Sequence, residues 1–110
     1  MMKKITIAVA ALMLSFNALA DAEKGQSYYL KYMKPLFGYN GDVLAQQHLQ
    51  VEWKSYFRKD AKKFIKKYSQ KHPEAAEFLN SETFQKIAPH LQDFVMKYAA
   101  DSGELPDCNS

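Results

Sequence analysis

The sequence predicts an all-α protein, a small single-domain bundle of four to five helices. Three observations favour this fold class. Apolar residues recur at steps of three and four over long stretches, which is the spacing of one face of an α-helix. Residues 21–34 lack the alternation of a strand, and prolines and glycines separate the periodic stretches. The length of 110 residues allows one domain and excludes a multidomain enzyme.

The first twenty residues have the pattern of a secretory signal peptide. Lys3 and Lys4 form a positively charged start, residues 5–16 are apolar, and Ala18-Leu19-Ala20 is a small-x-small cleavage site. The apolar run is too short for a transmembrane helix, and no cysteine at the cleavage site offers a lipid anchor. We therefore expect residues 1–20 to be removed, residues 21–110 to form the domain, and the protein to be exported to the periplasm.

The first half of the mature chain contains two or three predicted helices. One covers residues 21–34 and ends at Pro35, and residues 36–41 follow as a turn rich in glycine and asparagine. Asp42 is the predicted N-cap of the next helix. One apolar face is then formed by Trp53, Phe57, Ala61, Phe64 and Tyr68. The helix is either continuous from Asp42 to Gln70 or, as we favour, bent near Leu49.

The second half contains a short helix and a long one. His72-Pro73 predicts the start of the short helix, which ends near Asn80, because proline is well placed in a first helical turn. Ser81 can cap the segment that follows. The apolar stripe of that segment consists of Phe84, Ile87, Ala88, Leu91, Phe94, Val95 and Tyr98. Pro89 predicts the start of the last helix proper, and Ser102-Gly103 predicts its end.

Formal charge is segregated along the mature chain. Without Lys3 and Lys4 the chain holds 13 basic and 12 acidic residues, a balance that does not indicate nucleic-acid binding. Residues 54–71 nevertheless hold eight basic residues and one acid, whereas residues 72–110 hold seven acids and two lysines. The candidate partner-binding residues are Lys54, Arg58, Lys62, Lys63, Lys66 and Lys67.

Two interpretations of this basic stripe are open. It could dock an acidic redox protein or lie on an anionic membrane surface. Alternatively, it is a solvated face that packs beside the acidic C-terminal helix.

The chain lacks the motifs of common catalytic and metal sites. It has no G-x-S-x-G, no H-E-x-x-H and no phosphate-binding glycine loop, so nothing indicates an enzyme. His48, His72 and His90 are not spaced as zinc ligands, so we expect no metal. Cys108 is the only cysteine and cannot form an internal disulfide. It is either a free thiol or a partner in an intermolecular disulfide.

Both ends of the mature chain resemble the class I c-type cytochromes of the periplasm. Glu23-Lys24-Gly25 followed by Tyr28-Tyr29 resembles their N-terminal helix, and residues 91–94 and 97–103 resemble their aromatic C-terminal helix. The haem-attachment motif C-x-x-C-H is missing, since the matching window, residues 32–36, contains neither cysteine nor histidine. The resemblance therefore implies a cytochrome-c-like helical scaffold without covalent haem.

This resemblance leaves two alternatives for a cofactor. Either no haem is bound, which we favour, or a haem binds non-covalently through His48 or His90 with Met33 or Met96 opposite. The expected function is that of an accessory or docking partner in electron transfer. The alternative is a non-enzymatic binding module that contacts an acidic protein or an anionic membrane surface through its basic helix.

Overall fold

Six helices and no strand are formed by residues 21–106, which are the residues that this computed structural model describes. The prediction of an all-α protein is confirmed, with one helix more than the expected four to five. The predicted signal peptide, residues 1–20, and Cys108 lie outside the described residues.

The first helix, α1, contains a π-helical turn. It is α-helical over residues 21–28, π-helical over Tyr29–Met33 and α-helical again over Lys34–Phe37. The helix therefore continues past Pro35, where the sequence predicted its end. Proline has no N–H group, but Pro35 lies in the first turn of the final α-helical segment, where that group needs no intrahelical partner. Gly38, with a left-handed φ of 85°, ends α1.

The next two helices, α2 (Gly41–Ala45) and α3 (Gln50–Tyr56), are separated by a short loop. Leu49 has an extended backbone and is the N-cap of α3, so the bend expected near Leu49 is present. Glu52 stabilises this start, because its Oε1 accepts a hydrogen bond from the Leu49 N–H at 2.9 Å.

The start of α2 corrects one prediction. Asn40 is the N-cap, and Asp42 lies in the first turn instead. Packing explains the position, because a Cβ atom on Gly41 would lie 2.8 Å from the Phe94 ring. Only a glycine lets the backbone come this close to Phe94.

The fourth helix, α4 (Arg58–Lys71), follows α3 directly and begins irregularly. Lys59, Asp60 and Ala61 have left-handed φ values of 52°, 58° and 62°. We call these three residues the left-handed turn. The sequence predicted no interruption here, since none of the three is a glycine. The turn is held from outside by Gln85, whose Nε2 donates to the Asp60 carbonyl at 3.0 Å.

A 3₁₀ turn at Pro73–Ala75 leads into the short helix α5 (Ala76–Leu79), in agreement with the helix predicted from His72-Pro73. The last described helix, α6 (Glu82–Lys97), is capped by Ser81 as expected. The Ser81 Oγ accepts a hydrogen bond from the Phe84 N–H at 3.2 Å.

Two predictions about α6 were wrong. Pro89 lies inside the helix rather than at its start. It lacks an N–H to donate to the Gln85 carbonyl, but both residues are exposed and water can satisfy that carbonyl. The helix also ends before the predicted Ser102-Gly103, because the Ala100 N–H donates to the His48 carbonyl at 3.1 Å and draws the chain off the helical path.

The core forms around α6, which packs against α2, α3, α4 and α5. Helix α1 also crosses α6 closely, since a Cβ atom on Gly25 would collide with the His90 carbonyl. The core is mostly aromatic. Its largest fully buried side chains are Trp53, Tyr29, Tyr68, Phe64, Phe84, Phe94, Met33, Leu44, Leu79, Leu91 and Val95.

Candidate functional site

The six candidate partner-binding residues lie on the outside of the α3–α4 segment, and we call them the basic face. All six are exposed to solvent, and they are Lys54, Arg58, Lys62, Lys63, Lys66 and Lys67. The opposite side of the segment supplies Trp53, Phe64 and Tyr68 to the core. The sequence spacing therefore identified the exposed and the buried side of the segment, although it missed the left-handed turn at the start of α4.

A groove of about 360 Å³ runs along the basic face. Its lining consists of Ser55, Arg58, Lys59, Lys62, Lys63 and Lys66. Five of these six residues are cations and none is acidic. A neighbouring cleft of about 570 Å³ shares Lys59, Lys62 and Lys66 with the groove. These three lysines therefore stand between two concave surfaces, of which the second is also lined by Asp60.

Tyr56 lies at one end of the basic face, where lysines surround it. The Lys67 Nζ donates to the Tyr56 hydroxyl at 2.9 Å and lies 5.3 Å from the ring centre. The Lys63 Nζ lies 5.9 Å from the same ring centre. These contacts hold two flexible side chains near the surface through hydrogen bonding and cation–π attraction.

The basic face forms no ion pair with a carboxylate among residues 21–106. Within residues 21–106, the two ion pairs are His48–Glu52 and His90–Asp21, and neither contains a lysine or an arginine. The alternative interpretation, a solvated face beside the acidic C-terminal helix, agrees with the exposure of the six residues, although none of them forms an ion pair with a carboxylate among the described residues. Their protein contacts are with uncharged groups, such as Tyr56 for Lys63 and Lys67, so the charges themselves remain available to an anionic molecule.

His48 lies next to the basic face. Its ring packs against Trp53 and Tyr56, with ring centres 4.8 and 4.6 Å away. Its Nε2 lies 3.4 Å from the Lys67 Nζ, and its Nδ1 lies 3.8 Å from Glu52. Burial lowers the pKa of His48, and the Lys67 charge lowers it further, whereas Glu52 raises it by less.

His90 is in a different part of the molecule. Its Nδ1 lies 3.2 Å from an Asp21 carboxylate oxygen, without the alignment of a hydrogen bond. Its ring centre is 5.7 Å from that of Tyr28 in α1. His90 therefore contributes to the contact between α1 and α6.

The four residues considered for non-covalent haem binding do not line a common cavity in the described structure. His48 and His90 have separate neighbours, and Met33 is fully buried in the aromatic core. Met96 is half-buried, and Gln92 approaches its sulfur at 3.7 Å. The predicted arrangement needs a histidine and a methionine on opposite sides of one pocket. These positions do not fit that requirement, and we assign no step to a haem.

A second polar cluster, which the sequence did not indicate, lies between α1 and the end of α4. The Tyr39 hydroxyl is 2.9 Å from the His72 Nε2. The Tyr68 hydroxyl donates to the Gln47 Oε1 at 2.6 Å, and the Tyr29 hydroxyl donates to the Tyr39 carbonyl at 2.6 Å. We call Tyr39 and His72 the Tyr–His pair. Its members are 33 residues apart in the sequence, so no local spacing could reveal it.

Two further observations concern residues 21–106. None of the helices is both long and apolar enough to cross a membrane. No group of three or more histidine, cysteine, aspartate and glutamate side chains in this part of the chain is arranged to hold a metal ion. Comparison with known proteins adds no relative, since no family model, curated protein or solved structure matches the chain.

Proposed function

We propose that this protein is a periplasmic docking protein, cytochrome-c-like and without covalent haem, which binds an acidic redox protein through its basic face. The observation that carries the proposal is the set of exposed cations around a groove that contains no carboxylate. The signal-peptide pattern supports the periplasmic location. The resemblance of the two terminal helices to c-type cytochromes supports a role in electron transfer.

Electrostatic docking suits this surface because its charges are not already paired. Exposed charges of one sign attract a partner of opposite sign over a distance and speed the encounter, while adding modest affinity. The groove is large enough to receive carboxylate side chains from a protein surface. A transient complex of the kind used in electron transfer needs this combination of fast association and modest affinity.

The position of the apolar side chains favours an acidic protein over a membrane surface. A helix that lies in a membrane interface buries its apolar side among the lipids. In α4 that side is formed by Ala61, Phe64 and Tyr68, which are already buried in the core. Helix α4 therefore offers an anionic membrane its charges but no free apolar side.

Calorimetric titration of the full chain with poly-L-glutamate tests the basic face directly. The test variant is Lys62→Glu/Lys66→Glu, in two lysines that line the groove. The control variant is Lys24→Glu/Lys31→Glu, in two exposed lysines of α1. Both variants change the net charge equally, so a difference between them reports on the location of the charge.

We expect the wild type to bind and the test variant to lose about tenfold or more in affinity, which corresponds to about 1.4 kcal/mol. The control variant should lose less. Binding should also weaken as salt is added, because screening shortens the reach of exposed charges. Equal losses in the two variants, or no binding by the wild type, would refute the proposal. Stronger binding to vesicles of anionic lipid than to poly-L-glutamate would favour the membrane alternative.

A further inference from the structure

Tyr39 has a hydrogen-bond partner that distinguishes it from the other tyrosines. All seven tyrosines of the chain are among the described residues, and only the Tyr39 hydroxyl contacts a histidine. The buried Tyr29 and Tyr68 hydroxyls donate to amide oxygens. An amide oxygen is a very weak base, whereas a neutral imidazole can accept a proton near neutral pH.

The surrounding hydrogen bonds indicate the direction of the Tyr39 proton. The Gln47 Oε1 already accepts a hydrogen bond from the Tyr68 hydroxyl. Burial raises the pKa of Tyr39, and a hydrogen bond from the Gln47 side chain opposes that rise. Since the Gln47 Oε1 is occupied, its NH₂ group is the part left to donate to the phenol oxygen. The Tyr39 proton then points to the His72 Nε2, at a distance of 2.9 Å that allows proton transfer.

His72 is in the correct protonation state to accept this proton. Burial lowers its pKa, and the positive charge of Lys71 lowers it further, although Glu74 opposes the shift. The uncharged rings of Phe37, Tyr68 and Tyr39 pack against it. In the neutral tautomer with its proton on Nδ1, the His72 Nε2 lone pair accepts the Tyr39 hydrogen bond.

Aromatic rings connect the Tyr–His pair to the basic face. The Tyr39 ring centre is 5.9 Å from that of Phe37, which stacks on Tyr68 at 5.7 Å. Tyr68 stacks on Trp53 at 6.2 Å, and Trp53 lies 5.8 Å from Tyr56. Tyr56 is the tyrosine that lies among the lysines of the basic face. Aromatic side chains thus cross the core between the two surfaces, and all of them except Phe37 are oxidisable.

We propose that Tyr39 is a reversible one-electron redox site whose electron leaves through Tyr68, Trp53 and Tyr56 at the basic face. The electron acceptor is a high-potential one-electron oxidant, such as a ferryl haem, in the docked partner. The oxidant gains one electron, Tyr39 becomes a neutral phenoxyl radical, and its proton moves to the His72 Nε2 to form an imidazolium. Reduction of the radical returns the proton to Tyr39. The location of the acceptor rests on the proposed docking function, whereas the redox chemistry of the Tyr–His pair does not.

Laser-flash oxidation from a fixed position tests the proposal without any docking. A ruthenium polypyridyl photo-oxidant is attached to Ser55→Cys, next to Tyr56, in a full chain that also carries Cys108→Ser. After the flash with an electron scavenger present, transient absorption should show a long-lived tyrosyl radical. Replacement of H₂O by D₂O should slow its formation, because a proton moves with the electron.

Three variants distinguish Tyr39 from the remaining aromatic residues. Tyr39→Phe should lose the long-lived radical, and His72→Gln, which provides a weaker base, should lower its yield and remove the isotope effect. Trp53→Phe should slow radical formation, provided that circular dichroism shows the native helix content. Tyr28→Phe is the matched control, because Tyr28 is half-buried and lies beside His90 without a hydrogen bond from its hydroxyl to the ring.

The outcomes separate the two proposals. An unchanged radical yield and lifetime in folded Tyr39→Phe would overturn the redox site, whatever poly-L-glutamate does. A radical on Tyr39 in a protein that does not bind poly-L-glutamate would support the redox site and refute only the docking function. The radical yield should also fall as acid protonates His72, and a yield independent of pH would count against His72 as the proton acceptor.

Discussion

At the scale of single residues, His48 combines burial with positive neighbours. Its ring lies against Trp53, and both Lys67 and Lys71 act to lower its pKa. The unfolded chain has an ordinary histidine pKa of about 6.5. As the pH falls through that value, the unfolded state binds a proton at this position before the folded state does. The free energy of unfolding must therefore decrease with falling pH until His48 is also protonated in the folded state.

We expect this loss of stability between about pH 7 and pH 5, measured by urea unfolding monitored by circular dichroism. His48→Gln should flatten the pH dependence. Lys67→Gln should flatten it partly, because it removes the charge but leaves the burial. An NMR titration of the His48 ring provides an independent check. A pKa at or above 6.5, or an unchanged slope in His48→Gln, would contradict the interpretation.

At the scale of elements, the left-handed turn is the part of the α3–α4 segment that sequence reasoning could not predict. Apolar spacing placed Trp53, Phe57, Ala61, Phe64 and Tyr68 on the buried side, and all five are buried. A left-handed backbone is normally indicated by glycine, and Lys59-Asp60-Ala61 contains none. Each non-glycine residue in this conformation costs about 1–2 kcal/mol. The turn exists because packing against Gln85 and the core outweighs that local cost.

Glycine at the first position of this turn should therefore stabilise the protein. Lys59→Gly removes the steric cost of about 1–2 kcal/mol and adds an entropic cost of about 0.5–1 kcal/mol, so we expect a gain of about 0.5–1 kcal/mol. The control is Lys63→Gly, which removes the same charge from a right-handed part of α4 and should lose about 1 kcal/mol. Urea unfolding measures both variants. A loss of stability in Lys59→Gly as large as that in Lys63→Gly would show that the left-handed conformation costs little.

Some helix ends could be predicted from neighbouring residues, whereas others depend on tertiary contacts. Ser81 and the bend at Leu49 follow from local residue types and were predicted. The continuation of α6 through Pro89 depends on the buried residues on either side of it, and the early start of α2 depends on Phe94. The six residues of the basic face were all identified from spacing alone. The Tyr–His pair joins two distant segments, so only the fold could reveal it.

At the scale of the whole molecule, the lysines of the basic face repel one another, and this repulsion destabilises the folded state. Like charges four residues apart on α4, such as Lys62 and Lys66 or Lys63 and Lys67, destabilise a helix. Within the described residues no carboxylate is paired with a lysine to offset this effect. A surface that is unfavourable for folding but suited to an anionic partner is expected when function selects the charges.

Added salt should consequently stabilise this protein. Between about 0.01 M and about 1 M NaCl the Debye length falls from roughly 30 Å to roughly 3 Å, so repulsion within the basic face is screened. We expect the Tm to rise by several degrees in the wild type and by less in Lys62→Glu/Lys66→Glu. Scanning calorimetry measures the difference. Lys24→Glu/Lys31→Glu should keep most of the wild-type increase, because those lysines lie outside the basic face. A decrease in Tm with salt in the wild type would contradict this expectation.

Trp53 gives the molecule one tryptophan fluorophore, which can be excited separately from the seven tyrosines. It is the only tryptophan of the chain and is fully buried, with its Nε1 donating to the Ala45 carbonyl at 2.8 Å. It also lies against His48 and Tyr56, which both contact Lys67 of the basic face. Its emission wavelength should therefore report whether the core is folded. Its emission intensity should change when a charged partner binds at the basic face. One native fluorophore thus allows folding and surface binding to be observed separately, in an unlabelled chain.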